Sequence, residues 1–160
     1  MQVLPFTGSH DRQAFDCGRQ ELNDWLQQVA RQHQDKGLSK TFVAIRDEAP
    51  TLVCGYYALT LAELENQHLP KAWRKKLPRR IPGVRLGRLA VDRQYQGKRL
   101  GELLLIDALM RARRIYTEAG GIGLFVDALD AQAAGYYQRF GFHESPENPR
   151  LLFLSAKAAE

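Results

Sequence analysis

The sequence predicts an α/β fold organised around a single central mixed sheet. Apolar, β-branched segments of strand length recur along the 160 residues, and longer stretches repeat apolar residues with the helical period. Residues 84–126 read as strand, helix and strand, a unit that places its two strands parallel to each other. We therefore expect residues 1–160 to form one domain with about six to seven strands and about four helices.

The N-terminal part predicts an edge strand followed by a helix. The short apolar segment 2–6 fits a strand at the edge of the sheet. A helical pattern follows and stops at Gly37, a residue type that commonly ends helices. The apolar positions of this helix recur at i, i+3, i+4 and i+7 and are expected to face the core: Leu22, Trp25, Leu26 and Val29.

A β-hairpin is predicted next. Residues 40–46 and 51–61 are rich in β-branched and aromatic side chains and are separated by a turn. Gly55 in the second strand indicates a bulge or a close backbone approach. Tyr56 and Tyr57 are expected to point to opposite faces, so at most one can face a substrate cleft.

The positive charge of the chain is concentrated in one segment. The formal net charge is +5, yet residues 71–85 carry seven cations and no acid, and without them the charge would be −2. One interpretation is a solvated surface loop, which is common for charge runs. The other, which we favour, is a surface that contacts the phosphates of a polyanion. The cations are Lys71, Arg74, Lys75, Lys76, Arg79, Arg80 and Arg85.

Composition limits the cellular setting. The chain has no apolar run near the roughly 20 residues that a membrane span requires, and its first residues lack the pattern of a secretion signal. Cys17 and Cys54 have no metal-binding or redox spacing. Two isolated thiols favour a reducing cytosol, and no membrane partner is expected.

Residues 84–101 combine an apolar strand with a glycine-containing turn that leads into a helix at residues 102–119. The first turn of a helix has backbone N–H groups without intrahelical partners and a partial positive charge. Gly97 and Gly101 allow a ligand to approach the backbone, and Lys98 and Arg99 add full charges. The turn therefore predicts a pyrophosphate site, although it matches neither the Walker nor the dinucleotide pattern.

The helix at residues 102–119 is expected to bury a wide apolar face, formed by Leu103, Leu104, Ile106, Leu109 and Met110. Residues 124–126 then begin a strand buried on both faces. Asp130 is expected to cap a short helix that ends near Arg139. Residues 151–154 form the last strand, and we expect residues 156–160 to be a frayed tail.

Two motifs together resemble the GCN-five-related N-acetyltransferase (GNAT) superfamily. Residues 96–101, QGKRLG, look like its acetyl-CoA loop, and residues 133–142, AAGYYQRFGF, look like its Ala-x-x-x-Tyr-x-x-x-Gly-Phe segment. The resemblance implies a GNAT fold with a splayed parallel strand pair, acetyl-CoA as cosubstrate and no metal. The residues that it assigns to acetyl-CoA are Leu89, Ala90, Val91, Gln96, Gly97, Lys98, Arg99, Leu100, Gly101 and Asp130.

Two positions depart from the superfamily pattern. Arg99 stands where the internal glycine of the loop is usual, so it either adopts an unusual backbone conformation or adds its guanidinium to the phosphates. Asp130 stands where many relatives carry an asparagine that contacts the cofactor. We interpret Asp130 first as a helix cap and second as a cofactor contact.

A narrower resemblance connects the chain to the TacT/AtaT type of acetyltransferase toxins from toxin–antitoxin modules. It implies acetylation of the α-amino group of aminoacyl-tRNA, which blocks translation, with the basic segment on tRNA. It also implies a ribbon-helix-helix antitoxin as partner, and often a homodimer. The similar segments are residues 15–18, 22–26, 40–43, 55–59 and 87–92.

Tyr137 is the candidate catalytic residue, because it matches the tyrosine of the family segment. A phenol with a pKa of about 10 can donate a proton to a thiolate of comparable basicity. The alternative is that Tyr136 and Tyr137 both only pack. A backbone N–H near residues 89–91 is expected to polarise the thioester carbonyl.

The histidines fit no constellation that would make one of them a general base. A free α-amine has a pKa near 7.7 to 8.0, whereas a lysine amine has one of about 10.4. An α-amine therefore needs less help and is the favoured acceptor.

Two other functions remain open at this point. One is a free-standing acetyltransferase that acts on a small amine or a protein N-terminus. The other is a non-catalytic module that binds acetyl-CoA or RNA, although the glycine turn and Tyr137 argue against it.

Overall fold

The computed structural model describes residues 1–156, and their strands form one seven-stranded sheet. The strands are β1 Gln2–Pro5, β2 Lys40–Ile45, β3 Gly55–Glu65, β4 Arg80–Val91, β5 Gly123–Asp127, β6 His143–Glu144 and β7 Leu151–Ser155. Their order across the sheet is β1-β2-β3-β4-β5-β7-β6. The predicted mixed sheet is confirmed. Of the predicted tail, residues 157–160 lie outside the described part.

In the described residues, four stretches contain α-helix, and two short 3₁₀ helices, Asn66–His68 and Arg93–Tyr95, lie in connections between strands and helices. The first consists of α1 Gln20–Asp24, a π-helical turn Trp25–Val29 and α2 Ala30–Asp35, and the others are α3 Lys71–Arg74, α4 Leu100–Ala119 and α5 Ala131–Arg139. Within residues 1–156, none of them combines the length and the apolar character that crossing a bilayer demands.

The first three strands form an antiparallel meander. β1 pairs with β2 from Gln2↔Ile45 to Pro5↔Phe42, and β2 pairs with β3. The hairpin is confirmed, but its second strand begins at Gly55 rather than at residue 51 and continues to Glu65. Residues 51–54 instead form the connection that ends with the Cys54 N–H donating to the Ala44 carbonyl at 2.8 Å.

Gly55 is a place of close approach, as its position in the strand predicted. A Cβ there would lie 3.0 Å from the carbonyl oxygen of Ala90 and 2.9 Å from Leu104. Real Cβ atoms essentially never show a contact of 2.9 Å, and one of 3.0 Å would require the backbone at Ala90 to shift, so the segment carrying Ala90 packs against a bare backbone. Tyr56 and Tyr57, the residues that follow, are both fully buried.

β4 and β5 form the predicted parallel pair, with the register Val84↔Leu124 to Leu86↔Val126. Gly83 is required at the start of this pairing, because a Cβ there would lie 2.2 Å from the ring of Phe125. β5 is buried along residues 123–126, which confirms the prediction for this strand.

The contacts group the chain into two compact units. The first unit contains residues 1–60 and 87–108, and its core includes Trp25 stacked on Tyr56 with ring centroids 6.0 Å apart. The second contains residues 61–86 and the chain from residue 109, and its core includes Phe125 stacked on Phe153 at 5.0 Å.

The predicted apolar face of α4 is partly wrong. Leu104 is fully buried as expected, but the exposed fractions of Leu103, Ile106 and Met110 are 39%, 45% and 56%. The buried stripe consists of Leu104, Leu105, Ala108 and Ala112. The prediction relied on large apolar residues and therefore overlooked the alanines, whose small side chains let a helix pack closely.

Candidate functional site

The turn after β4 is fixed by the carboxylate of Asp92. It accepts hydrogen bonds from the backbone N–H groups of Gln94 and Asp16, both at 3.0 Å. The Asp16 carboxylate accepts from Gly18 N–H and the Asn23 amide, and these bonds lower the pKa of Asp16. Both carboxylates therefore act in local hydrogen bonding at the entrance to the loop.

The side chain of Gln96 holds the loop itself. Its amide nitrogen donates to the carbonyls of Cys17 and Val91, each at 2.9 Å. The first bond ties the loop to the N-terminal segment, and the second ties it to the end of β4. Gln96 was predicted as a cosubstrate contact, and the structure shows that its side chain braces the loop.

Two residues of the loop adopt left-handed backbone conformations. Gly97 has φ of +77° and Arg99 has φ of +63°. Arg99 thus adopts the unusual backbone conformation that was one of the two alternatives expected at this position, at a cost of about 1–2 kcal/mol. Lys98 and Arg99 are exposed, and the Lys98 ammonium lies 5.8 Å from the ring centroid of Tyr95.

The start of α4 provides backbone donors directly after these cations. The helix begins at Leu100, two residues earlier than predicted, and Leu103 N–H donates to Arg99 C=O at 3.1 Å. The amides before this bond cannot make intrahelical bonds and are available to an anion. They belong to Leu100, Gly101 and Glu102.

The end of β4 contributes main chain rather than charged side chains. Ala90 is buried, whereas Leu89 and Val91 are half-buried. Their backbone precedes the Asp92 turn, so strand, turn, loop and helix form one continuous stretch from residue 89 to residue 102.

Tyr137 lies on α5, and its ring is buried. It makes edge-to-face contacts with Tyr136 and Phe142, each with 5.5 Å between ring centroids. Burial raises the pKa of Tyr137 well above its ordinary value, and the proximity of Tyr136 adds to this.

Asp130 caps α5, as predicted. Its carboxylate accepts a hydrogen bond from Ala133 N–H at 2.8 Å, and its backbone is extended. This bond satisfies one of the first amides of the helix that carries Tyr137.

The basic segment has acidic neighbours that the sequence did not indicate. The expectation that its seven cations lack counter-charge is wrong, since strand residues distant in sequence approach three of its arginines. The pairs are Arg79–Glu65 at 3.9 Å, Arg80–Glu63 at 3.8 Å and Arg85–Asp127 at 3.0 Å. All three are solvent-exposed to a considerable degree, so each contributes little to stability.

The lysines of the same segment differ from these three arginines in their neighbours. Lys71, Lys75 and Lys76 are exposed, and none has an acidic partner among residues 1–156. Arg74 donates to the Leu69 carbonyl at 2.8 Å. Lys76 has φ of +66°, which makes it the second non-glycine residue in this conformation in the described chain.

Sequence reasoning missed a cavity of about 790 Å³ beside α3. The signal that could have revealed it is Trp73, an aromatic residue placed among cations, a combination typical of nucleic-acid-binding segments. The lining includes Leu69, Trp73, Lys75, Ile122, His143 and Phe153.

The histidines do not form a catalytic group in the described residues. His10 is buried, and its ring nitrogen accepts from Thr7 N–H at 3.0 Å, while His68 bonds Ser145 at 3.2 Å. His143 is exposed on β6. Within residues 1–156 there is also no group of three or more His, Cys, Asp or Glu side chains placed to hold a metal ion.

Comparison with known proteins gives this arrangement its context. A tRNA-acetylating toxin of Mycobacterium tuberculosis is 36% identical over 149 residues, which cover 93% of this chain and 88% of the relative. The solved structure of AtaT complexed with acetyl-methionyl-tRNAfMet superposes with a TM-score of 0.90 at 35% identity, covering 98% of this chain and 95% of AtaT.

A further AtaT structure, a tyrosine-to-phenylalanine mutant bound to acetyl-CoA and to the C-terminus of the antitoxin AtaR, has a TM-score of 0.82 at 32% identity. It covers 99% of this chain and 95% of that protein. Residues 37–144 match the acetyltransferase (GNAT) domain family. The chain therefore belongs to the GNAT acetyltransferase family.

Proposed function

We propose that this protein transfers the acetyl group of acetyl-CoA to the α-amino group of an aminoacyl-tRNA and thereby blocks translation. The observation that carries the proposal is the stretch from Leu89 to Glu102, which ends a strand in a braced, cationic loop at a helix N-terminus. The AtaT complex with acetyl-methionyl-tRNAfMet, at 35% identity, supports the choice of acceptor.

The loop suits the pyrophosphate of acetyl-CoA. The amides of Leu100, Gly101 and Glu102 point along the start of α4, whose dipole favours an anion. Lys98 and Arg99 supply charge, and the open space beside Gly97, where a Cβ would meet nothing within 4 Å, admits a close ligand. Gln96 acts indirectly by holding this geometry, and Asp130 acts through the helix that it caps.

The strand residues Leu89, Ala90 and Val91 would hold the pantetheine arm through main-chain hydrogen bonds. One of their N–H groups would also donate to the carbonyl oxygen as negative charge develops on it. Acetyl-CoA supplies the activated acyl group as a thioester, and no metal is needed for this chemistry.

Tyr137 would protonate the departing thiolate. Because burial raises its pKa, the phenol remains protonated near pH 8, where an α-amine loses its proton. Turnover should therefore rise as the amine loses its proton near pH 8 and should show no decline near pH 10 from ionisation of this tyrosine.

The tRNA would bind through the phosphate contacts of the basic segment, a mode that gives affinity without base sequence. Such a substrate places the reaction in the cytoplasm. By analogy with the AtaT complex with AtaR, we also propose an antitoxin partner. The ribbon-helix-helix class of this antitoxin and a homodimeric toxin are proposed from the family resemblance of the sequence alone.

The decisive experiment is expression of the chain in cells, followed by mass analysis of aminoacyl-tRNA for acetylated α-amines. We expect growth arrest and acetylated product with the wild type. Tyr137→Phe should retain acetyl-CoA binding and lose about 10²- to 10⁴-fold in turnover. Tyr136→Phe is the matched control and should retain turnover.

Three results would contradict the proposal. Wild-type turnover by Tyr137→Phe with normal acetyl-CoA binding would remove the acid role. Absence of acetylated aminoacyl-tRNA and of growth arrest, together with acetylation of a small amine or a protein N-terminus, would favour a free-standing acetyltransferase. Acetyl-CoA binding without any transfer would favour a non-catalytic module.

A further inference from the structure

We propose that the cavity beside Trp73 binds one unpaired nucleotide of the RNA substrate, with the base against the indole ring and the adjacent phosphates on Lys71, Lys75 and Lys76. The inference rests on the proposed function for the identity of the RNA as tRNA. The cavity would recognise an unpaired nucleotide, whereas the rest of the proposed RNA-binding surface is defined only by its charge.

The cavity has the size and lining of a small-molecule site. Its volume of about 790 Å³ lies within the roughly 300–1,000 Å³ that is typical of such sites. Leu69, Ile122 and Phe153 make much of its wall apolar, and Trp73 is only partly buried. A nucleobase is the part of an RNA that gains from such a wall, because every base has a flat face that stacks favourably on aromatic rings.

The indole ring has no parallel stacking partner in the described chain. His143 approaches Trp73 with ring centroids 5.0 Å apart and an interplanar angle of 85°, and Phe153 approaches at 5.7 Å and 61°. These edge-to-face contacts fix the ring in the cavity wall. A parallel stack on Trp73 is the contact that remains to be made, and a base provides it.

The charges beside the cavity are arranged for phosphate. Lys75 lines the cavity itself, and Lys71 and Lys76 lie on the same short helix and the turn that follows it. Within residues 1–156 these lysines have no acidic partners, whereas Arg79 and Arg80 lie near Glu65 and Glu63. The uncompensated charge is therefore next to the apolar cavity, where a phosphate would be adjacent to a bound base.

A nucleotide matches this arrangement better than a peptide does. It carries a flat ring and a phosphate within one unit, as the cavity offers a ring and an ammonium group within one wall. The nucleotide must be unpaired, because a base within a duplex is already stacked on both faces and cannot enter.

Fluorine NMR of the protein labelled with 5-fluorotryptophan tests the site directly. Trp73 and Trp25 give two resonances, assigned with Trp73→Phe, and Trp25 is buried in the other core and acts as internal control. We expect a single-stranded decamer of oligoadenylate to shift the Trp73 resonance and leave Trp25 unchanged. An equal shift with a blunt RNA duplex, or no shift with the decamer, would overturn the proposal.

Substitutions measure how much Trp73 and Lys75 each contribute to RNA affinity. Trp73→Leu should weaken decamer binding about tenfold, and Trp73→Phe should retain most of the affinity. Lys75→Gln should lower the slope of log affinity against log salt by about 0.7. If Trp73→Leu does not fold, Lys75→Gln decides, since an unchanged slope would contradict the phosphate contact.

The outcomes separate this site from the proposed function. Wild-type KM of Trp73→Leu for aminoacyl-tRNA would remove the site and leave the function intact. A Trp73-dependent decamer complex without acetylation of aminoacyl-tRNA would remove the function and leave the site. A Trp73 shift caused by an acidic amphipathic peptide and by no RNA would assign the cavity to a protein partner and overturn the proposal.

Discussion

Lys76 and Arg99 occupy the same rare region of backbone conformation in two different surroundings. Their φ angles are +66° and +63°, and both residues are cationic. Arg99 belongs to a loop that Gln96 braces and that continues into the 20 residues of α4. Lys76 follows the four residues of α3 and has no comparable brace among its side-chain contacts in residues 1–156.

The difference indicates how each segment would bind an anion. Strained backbone persists only where the surrounding structure determines it, and it is common at binding sites. At Arg99 the amides of a long helix accompany the cations, which suits a compact pyrophosphate. At Lys76 the helix is one turn long, so affinity must come from side chains, which suits an extended polyanion such as RNA.

Charge reversal should distinguish the lysines of the basic segment from its arginines. Reversal of the lysines should have the largest effect on tRNA affinity. We expect Lys71→Glu with Lys75→Glu to weaken tRNA binding about 30-fold and to lower the salt slope by about 2. Arg79→Glu with Arg80→Glu should weaken it less, because Glu65 and Glu63 already offset those arginines. Filter binding over a salt series measures both, and acetyl-CoA affinity should remain unchanged.

Equal losses for the two pairs would show that the acidic neighbours do not matter. An unchanged tRNA affinity and toxicity after reversal of Arg79 and Arg80 would remove these two arginines from the tRNA surface.

Neutralising the two cations of the loop should weaken the binding of acetyl-CoA rather than that of tRNA. Lys98→Ala with Arg99→Ala should weaken acetyl-CoA binding about tenfold, because exposed cations contribute less than the about 1.5–3 kcal/mol of a desolvated charge-assisted hydrogen bond. Calorimetric titration with acetyl-CoA measures this effect. The same variant should keep the salt slope for tRNA, and a parallel loss of that slope would mean that the two segments share one ligand.

The brace of the loop should have a smaller effect, seen in stability. Gln96→Ala removes two hydrogen bonds and should lower the free energy of unfolding by about 1 kcal/mol. Gln94→Ala is the control, because Gln94 is exposed and bonds to Asp92 through its backbone N–H. Urea unfolding compares the two variants, and equal midpoints would contradict the role of the Gln96 side chain.

Glycine substitution should have the smallest effect. It tests whether positive φ at Arg99 and at Lys76 destabilises the protein by the same free energy. Arg99→Gly and Lys76→Gly should each raise the free energy of unfolding by about 0.5–1 kcal/mol, because glycine adopts positive φ without strain. Thermal unfolding measures both gains. A loss of stability in either variant would mean that its side chain contributes contacts that exceed the strain.

Features set by local chemistry were predictable from the sequence. Asp130 caps α5 because an aspartate satisfies the first amides of a helix wherever it precedes one. The parallel pairing of β4 and β5 follows from the strand–helix–strand order. The departure at Arg99 indicated an unusual backbone as one of two alternatives, since a position that favours glycine often has positive φ.

Features set by distant residues were not predictable. Glu63, Glu65 and Asp127 approach the basic segment only after β3, β4 and β5 have formed. The cavity beside Trp73 is assembled from α3, the strands β6 and β7, and the residues that precede β5. No local pattern contains these distances, so charge counted along the sequence overstated the free charge of the segment.

The π-helical turn at Trp25–Val29 has a consequence for chain length. Such a turn contains one residue more than an α-helical turn, and the buried Trp25 and Ala30 nevertheless face the same core across it. Deleting the exposed Gln28 would restore α-helical geometry, and the buried residues on both sides of the deletion would still face the core. The N-terminal helix thus has a point at which it can lose one residue and keep its buried face, whereas a deletion within α4 would rotate Leu104 away from Ala112.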